Sequence, residues 1–310
     1  LEHIKLALDW TPNVNHIGFI AAFELGYYYQ AGIHLEILNP QADNYSITPA
    51  KKLISGFVDF AIAPFESVIS LNYNGISNDV MAVAAILQQD LSAIAVLKSS
   101  GINAISDLDG KTYGSYKARY EDLIVAAMIK NGGGKGKFNV VYPNKLGIWN
   151  CLVNNQVDAT WIFCNWEGVE AKTQGVQLNT FKLADYGIPY GYSPVLITTN
   201  QLLKKRGRLY KSFMQASAKG FTFALNQPNY AAHMLAKWVT PNDRLRINLL
   251  QTLEETMPHM MHEKGWGYME ETRINAFINW LIQEQIETDR IASRKLFTNS
   301  LITETEVAVN

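Results

Sequence analysis

Leu6-Ala7-Leu8-Asp9-Trp10-Thr11-Pro12-Asn13-Val14-Asn15-His16-Ile17-Gly18 carries the first complete strand–loop–helix unit of the chain. An apolar run stops at a cluster of Asp, Trp, two Asn and a His, and a helical pattern of Phe19, Ile20, Phe23 and Tyr27 follows at once. This is the unit from which α/β proteins build a binding edge, because ligands collect at the carboxyl ends of parallel strands. Trp10 offers a flat face to an aromatic ring, and Asn13, Asn15 and His16 offer hydrogen bonds around its rim. The same residues suit a polar turn in which Asn13 or Asn15 caps the helix. So many polar and aromatic groups in one short loop favour a site.

Working outward, strand-like and helix-like patterns alternate. Ile4–Leu8 reads as strand, Gly18–Ala31 as helix, His34–Leu38 as strand, Ile47–Ser55 as helix and Phe57–Ala63 as a buried strand. Helix Glu66–Tyr73 and the apolar run Val80–Leu87 follow. The pattern then restarts with strand Ala93–Leu97, a turn over Ile105–Leu108, strand Thr112–Gly114, helix Glu121–Lys130, strand Phe138–Val141, helix Gly147–Asn154 and strand Ala159–Phe163. Val195–Thr199 is again a strand, and Lys204 to Leu296 is largely helical. Such alternation predicts mostly parallel sheets covered by helices. The expected architecture is α/β, with lobe 1 made of residues 1–88 and 193–310, lobe 2 of 89–192, and crossings near Leu87–Asp90 and Tyr190–Pro194. The polar tail Thr303–Asn310 is expected to fray.

Composition narrows the function classes. The 310 residues exceed one small core, and 48% hydrophobic with 18% charged residues describes an ordered chain. A net charge of −1 gives no electrostatic footprint for nucleic acid. No apolar run is long enough to cross a bilayer as a helix. Cys151 and Cys164 lack Cys-x-x-Cys spacing and read as two buried thiols, although a disulfide is open to them in an oxidising compartment. The chain begins at Leu1 directly before a strand, as an exported chain does after loss of its leader. A chain trimmed to its folded part would begin the same way.

Three further segments bear candidate chemistry, each after a strand. Trp161-Ile162-Phe163-Cys164-Asn165-Trp166-Glu167-Gly168 repeats the opening logic, with Phe163, Asn165, Trp166 and Glu167 as candidates. Glu167 can accept paired hydrogen bonds from an amino-substituted heterocycle while Trp166 or Trp10 stacks on it; equally, Glu167 caps a helix and Trp166 is core. In Tyr113–Glu121, Ser115 and nearby amides suit a carbonyl or anionic group, Tyr116 and Tyr120 suit closure over a ring, and Glu121 suits an amino group. Pro64-Phe65-Glu66-Ser67 supplies Phe65 and Glu66, the latter also a favoured first-turn acid. Tyr190 stands at the second crossing as cleft wall or hinge packing. His259-Met260-Met261-His262 has a metal-compatible spacing without a carboxylate pattern. Gly132–Gly136 lacks the spacing of a phosphate loop, and neither a Gly-x-Ser-x-Gly nor a Gly-x-Gly-x-x-Gly motif occurs. The motifs therefore point to no catalytic residue, metal or cofactor.

The pattern Asp9-Trp10-x-Pro12-Asn13-x-Asn15-His16-x-Gly18, with Gly26-Tyr27-Tyr28 and Ala31-Gly32-Ile33, resembles periplasmic and lipoprotein binding proteins for thiamin pyrimidine precursors. Gly56-x-Val58-Asp59-Phe60, Lys111-x-Tyr113-Gly114 and Asp158-x-x-Trp161-Ile162-Phe163 extend the resemblance, which runs from Ile4 to about Trp280. It implies a type II periplasmic-binding-protein fold that closes on its ligand and delivers it to an ABC permease, as a monomer outside the cytoplasm, with or without a lipid anchor. The same superfamily holds synthases that make the thiamin pyrimidine from pyridoxal phosphate. By the alignment, their lysine and histidine positions are Ala63 and Ser67 here, and their cysteine-rich run is missing. The Tyr116–Tyr120 loop also departs from the transporters, where a smaller Gly-Ser-Pro loop stands. The resemblance thus implies a non-enzymatic binder of a thiamin-related pyrimidine. A synthase-like enzyme, a flavin binder and a sulfonate binder are the alternatives; the first needs a lysine in the cleft, for which Lys51, Lys52 and Lys117 are the nearest candidates, none at the synthase position.

Overall fold

The structure, a computed structural model, describes residues 1–73, 79–292 and 295–302. The tail expected to fray lies outside them. Among the described residues ten strands form two sheets: β1 (Glu2–Ala7), β2 (Ile33–Leu38), β3 (Phe60–Ala63), β4 (Val80–Ala85), β5 (Ser92–Leu97), β6 (Thr112–Gly114), β7 (Asn139–Val141), β8 (Ala159–Phe163), β9 (Leu178–Phe181) and β10 (Val195–Thr199). The first sheet runs β2-β1-β3-β10-β4 and the second β7-β6-β8-β5-β9. This is the two-lobed α/β architecture expected from the alternation.

Strand direction is more specific than the alternation could say. β1 pairs in parallel with β2 and β3, and β6 with β7 and β8. β10 runs antiparallel to β3 and β4, and β5 antiparallel to β8 and β9. Those two strands are the first that the chain enters after passing between sheets. A chain leaving one sheet at its carboxyl edge and entering a facing carboxyl edge must run against its new neighbours. The antiparallel strands therefore place the carboxyl edges of both sheets face to face.

One anchor recurs in both sheets. Asp59 precedes β3, accepts from the Lys5 backbone N–H through Oδ2 at 2.9 Å, and donates its own N–H to Lys5 O. Asp158 precedes β8, accepts from Thr112 N–H at 2.8 Å and returns a bond to Thr112 O. Each aspartate thus clamps the start of one parallel strand onto its neighbour, the structural reason for Val58-Asp59 and Val157-Asp158. Asp59 further accepts from Tyr210 and Arg206 of helix Asn200–Asn226, tying that helix to the sheet.

Several elements differ from expectation. The helix read over Gly18–Ala31 is two, Ile17–Glu24 and Tyr27–Gln30, because Gly26 takes φ +72 between them. β3 begins at Phe60, not Phe57, and β9 was not expected at all. Cys151 and Cys164 are half-buried and unpaired rather than fully buried. Among the described residues no helix is long and apolar enough to cross a membrane.

Helix Ile17–Glu24, which ends the opening unit, lies directly on helix Asn200–Asn226 through glycine. A Cβ at Gly220 would meet Gly18 O at 1.9 Å, and one at Gly18 would meet the Phe221 ring at 2.0 Å. Both contacts lie below any real Cβ separation, so the helices must part to admit a methyl group. We predict that Gly220→Ala destabilises the protein by about 1–3 kcal/mol despite alanine's better helix propensity. Denaturant unfolding that shows an unchanged or raised midpoint would refute the close approach.

Candidate functional site

The loops at the facing carboxyl edges enclose a cavity of about 580 Å³. Asp9–Asn15 reach it from the end of β1, Pro64–Ser67 from β3, Tyr116–Glu121 from β6 and Phe163–Glu167 from β8. Each segment singled out in the sequence thus contributes to one space, and both sheets contribute. Trp10, Asn13, Asn15, Glu66, Tyr116, Glu121, Phe163, Trp166, Glu167 and Tyr190 line it.

His16, Phe65, Ser115 and Asn165 do not line it, and each has a structural task instead. His16 is fully buried; its Nδ1 accepts from Asn13 N–H at 3.1 Å, so Nε2 carries the proton toward Asp9 Oδ1 at 2.6 Å. It fixes the Trp10 loop from behind. Asn13 does cap the following turn, since its side chain accepts from Asn15 N–H at 2.9 Å, and it faces the cavity as well. Phe65 is core. Ser115 donates to Asp122 at 2.7 Å and accepts from Lys117 N–H, bracing its own loop. Asn165 donates to Asn15 and to Thr256 Oγ1, both at 2.9 Å, and so links the two lobes.

Other lining groups went unrecognised as site candidates. Tyr45, after β2, lies 5.6 Å from Trp10 between ring centroids, and Tyr116 approaches the same indole at 5.7 Å with planes at 75°. Both Tyr45 and Lys117 hold left-handed backbone angles, φ +58 and +61. Lys145, after β7, also lines the cavity, as do Asp9 and Trp161; Lys51 and Lys117, named in the sequence as cleft lysines for a synthase, line it too. The signal that would have found Tyr45 and Lys145 was positional: every parallel strand ends at the same edge.

Charge is layered by depth. Lys51 and Lys117 are exposed and Lys145 half-buried, whereas Glu66, Glu121 and Glu167 are all buried. Arg119 is committed to Glu287 at 2.8 Å, an interlobe pair to which the Tyr120 hydroxyl also donates at 2.7 Å. Glu121 accepts from Tyr113 OH, Tyr116 N–H and Ala118 N–H and thereby holds the loop in shape. Glu167 does not cap its helix, whose N-cap position is Trp166; it accepts instead from Phe163 N–H, at the end of β8, at 3.0 Å, and forms part of the cavity wall. Glu66 Oε2 is buried with no hydrogen-bond partner. Burial, then the neighbouring Glu121 carboxyl, push the Glu66 carboxyl up to about 8 against a smaller opposing bond from Tyr120 N–H. Burial likewise lifts Glu167 to about 7.

Arg246 meets Glu170 at 2.8 Å and Lys172 meets Glu255 at 2.7 Å, two further ion pairs between the halves. His262 pairs with Glu270 at 3.0 Å, and the described residues hold no cluster of three or more metal-binding side chains.

A family model described as NMT1/THI5 like matches residues 13–231. The chain belongs to the NMT1/THI5-like family. The match starts at Asn13, inside the Trp10 loop, and ends beyond helix Asn200–Asn226, so it includes three of the four segments that bound the cavity and the Asn13–Asn15 end of the first, but not Asp9 or Trp10. The chain is similar to the formylaminopyrimidine-binding protein of Halalkalibacterium halodurans, 26% identical over 85% of this chain and 78% of that protein. It is also similar to the 4-amino-5-hydroxymethyl-2-methylpyrimidine phosphate synthase of Legionella pneumophila, 24% identical over 83% and 79%. Among solved structures, a Candida albicans protein exhibiting the generic periplasmic binding protein fold superposes with a TM-score of 0.71 at 14% identity, covering 98% of this chain and 99% of that one. The family thus holds proteins named as binders and as synthases, and the fold is that of periplasmic binding proteins.

The buried carboxyls make stability depend on pH in a definite direction. Glu66 and Glu167 hold protons in the folded state that the unfolded chain releases above its ordinary carboxylate range. Folding stability is then greatest below that range and falls as pH rises through about 7 and 8. We predict a loss on the order of a few kcal/mol between pH 5 and 8.5 for the ligand-free protein, and a shallower decline in Glu66→Gln. A flat melting profile, or one of equal slope in the variant, would show that these carboxyls ionise freely.

Proposed function

We propose that this member of the NMT1/THI5-like family is the solute-binding protein of an ABC importer and captures a thiamin-related pyrimidine, or a similar aromatic heterocycle, by lobe closure. Its lobes are residues 1–88 with 193–310, and residues 89–192. It acts outside the cytoplasm, as a monomer and without a cofactor. One observation carries the reading: aromatic rings and carboxyls contributed by both sheets face a single cavity between them. A ligand shifts a closing equilibrium only by contacting both halves, and a planar ring with amino substituents is what such a lining accommodates. Trp10 stacks on the ring, while Glu167, Asn13 and Glu121 receive or complete hydrogen bonds with its amino and ring-nitrogen groups. A relative named as a formylaminopyrimidine-binding protein supports the ligand class.

The synthase reading is the alternative, since relatives carry that name. Ala63 and Ser67, the positions that the resemblance aligns with the synthases' lysine and histidine, both line the cavity. A methyl group cannot form a Schiff base, and a hydroxyl is no imidazole. Lys51, Lys117 and Lys145 are the amines that do reach the space, all from loops or helices elsewhere. Lys52, by contrast, is paired with Asp43 at 2.8 Å.

A thermal-shift titration separates these readings, because stabilisation grows with the logarithm of ligand concentration over Kd. The panel is thiamin, its hydroxymethyl, aminomethyl and formylaminomethyl pyrimidines, riboflavin, pyridoxal phosphate and an alkanesulfonate. We expect a shift with at least one pyrimidine, weakened roughly tenfold or more in Kd by Trp10→Ala, in line with the cost of losing one stacked base, and reduced by Glu167→Ala. A response to pyridoxal phosphate alone, with Schiff-base absorbance, would move the protein to the synthases. A sulfonate or riboflavin response alone would replace the ligand class.

A further inference from the structure

Among the described residues Glu66 is the buried carboxyl of the cavity that is left with an unsatisfied oxygen. It stands in the first turn of helix Phe65–Tyr73, is 3% exposed, and leaves Oε2 without a partner. Its surroundings come from three elements. From the facing lobe come Glu121, equally buried, and the Tyr120 backbone N–H; from the second crossing comes the Tyr190 phenol. Among the described residues no cation pairs with Glu66. Arg119, the nearest guanidinium in that loop, is spent on Glu287. Lys145 reaches the electrostatics of Glu121 from the rim, where Lys51 and Lys117 disfavour its charge.

Lobe closure therefore brings Glu66 of one lobe against Glu121 of the other. Glu121 is held by three donors of its own loop, so it has no hydrogen to offer Glu66. Burial and the nearby Glu121 carboxyl disfavour a bare carboxylate at Glu66, which keeps its proton while nothing cationic faces it. A neutral ring donor answers the missing hydrogen bond, but only a cation takes the place of that proton and leaves an ion pair. Resting on the pyrimidine reading above, we infer that the preferred ligand carries a protonated amine, seated against Glu66 and facing Glu121 across the closed cleft. Among thiamin-related pyrimidines this selects the aminomethyl form, cationic at neutral pH, over its hydroxymethyl and formylaminomethyl counterparts. Glu66 is then the residue that sets specificity, and the lysines stay at the exposed rim, away from the amine.

Calorimetric titration of the full chain at pH 7 with those three pyrimidines tests the inference. We expect the aminomethyl compound to bind at least about tenfold more tightly than the hydroxymethyl one, the usual advantage of a charged over a neutral buried hydrogen bond. In Glu66→Gln, checked for folding by its melting curve, that preference should collapse toward unity whatever happens to the neutral compounds. Equal or tighter binding of a neutral pyrimidine by the unaltered protein overturns the inference while leaving the pyrimidine reading intact, and needs no variant. A preference that survives Glu66→Gln overturns the role of Glu66. Failure of all three compounds removes the pyrimidine reading and the inference together.

Discussion

The facing of two carboxyl edges is the constraint on which the rest of the molecule depends. Parallel strands send all their outgoing loops to one edge, and each lobe has one such edge. β5 and β10, running against their neighbours, turn those edges toward each other instead of away. Every loop that leaves β1, β3, β6 or β8 then meets the same space. Asp59 and Asp158 hold the register of the strands beside β1 and β6, so the distances across the cleft are inherited from the sheets and not from the loops alone.

Loops placed this way still need rigidity, and the buried polar groups behind the cavity supply it. His16 ties Asp9 to the Asn13 backbone; Glu121 collects three donors of the Tyr116 loop; Ser115 and Asp122 brace that loop from outside. Left-handed backbone at Tyr45 and Lys117 is tolerated because neighbouring contacts hold it. Asn165, Arg246 and Glu287 add bonds that exist only with the lobes together. Under the proposed closing mechanism these contacts would favour closure and the buried carboxyls would oppose it, so that the ligand decides the balance.

The sequence made the layered architecture and the site edge legible because both follow from where apolar runs stop. Strand direction left no local trace: the run Val195–Thr199 reads alike whichever way its neighbours point. β9 escaped because Leu178–Phe181 is short, polar in the middle and only partly buried, so it lacks an apolar signature. Within the site, composition could not separate a residue facing the cavity from one bracing it. Asn13 and Asn15 face it, whereas Asn165 lies one contact behind Asn15. Glu66 looked like an ordinary first-turn acid, and it is one. What makes it unusual is Glu121, more than fifty positions further on. Tyr45 and Lys145 follow the same edge rule as Trp10, but their loops carry no cluster to draw notice.

The acids under the cavity are costly to the empty protein. Satisfied apolar side chains of similar volume would stabilise the closed form, and burial of three carboxyls at one spot works against the core on which they sit. Glu121 offsets its cost by organising a loop, and Glu167 by holding the end of β8 at Phe163. Glu66 does neither: its backbone would begin helix Phe65–Tyr73 with any polar residue, and Oε2 serves no other group of the protein. A buried acid that takes only one backbone bond, from Tyr120 N–H, where the two carboxyl edges meet, costs the fold more than it returns. Under the closing mechanism proposed above, that cost would fall once a ligand bonds to Oε2, so the same group would discriminate between the filled and unfilled forms more sharply than rim contacts can.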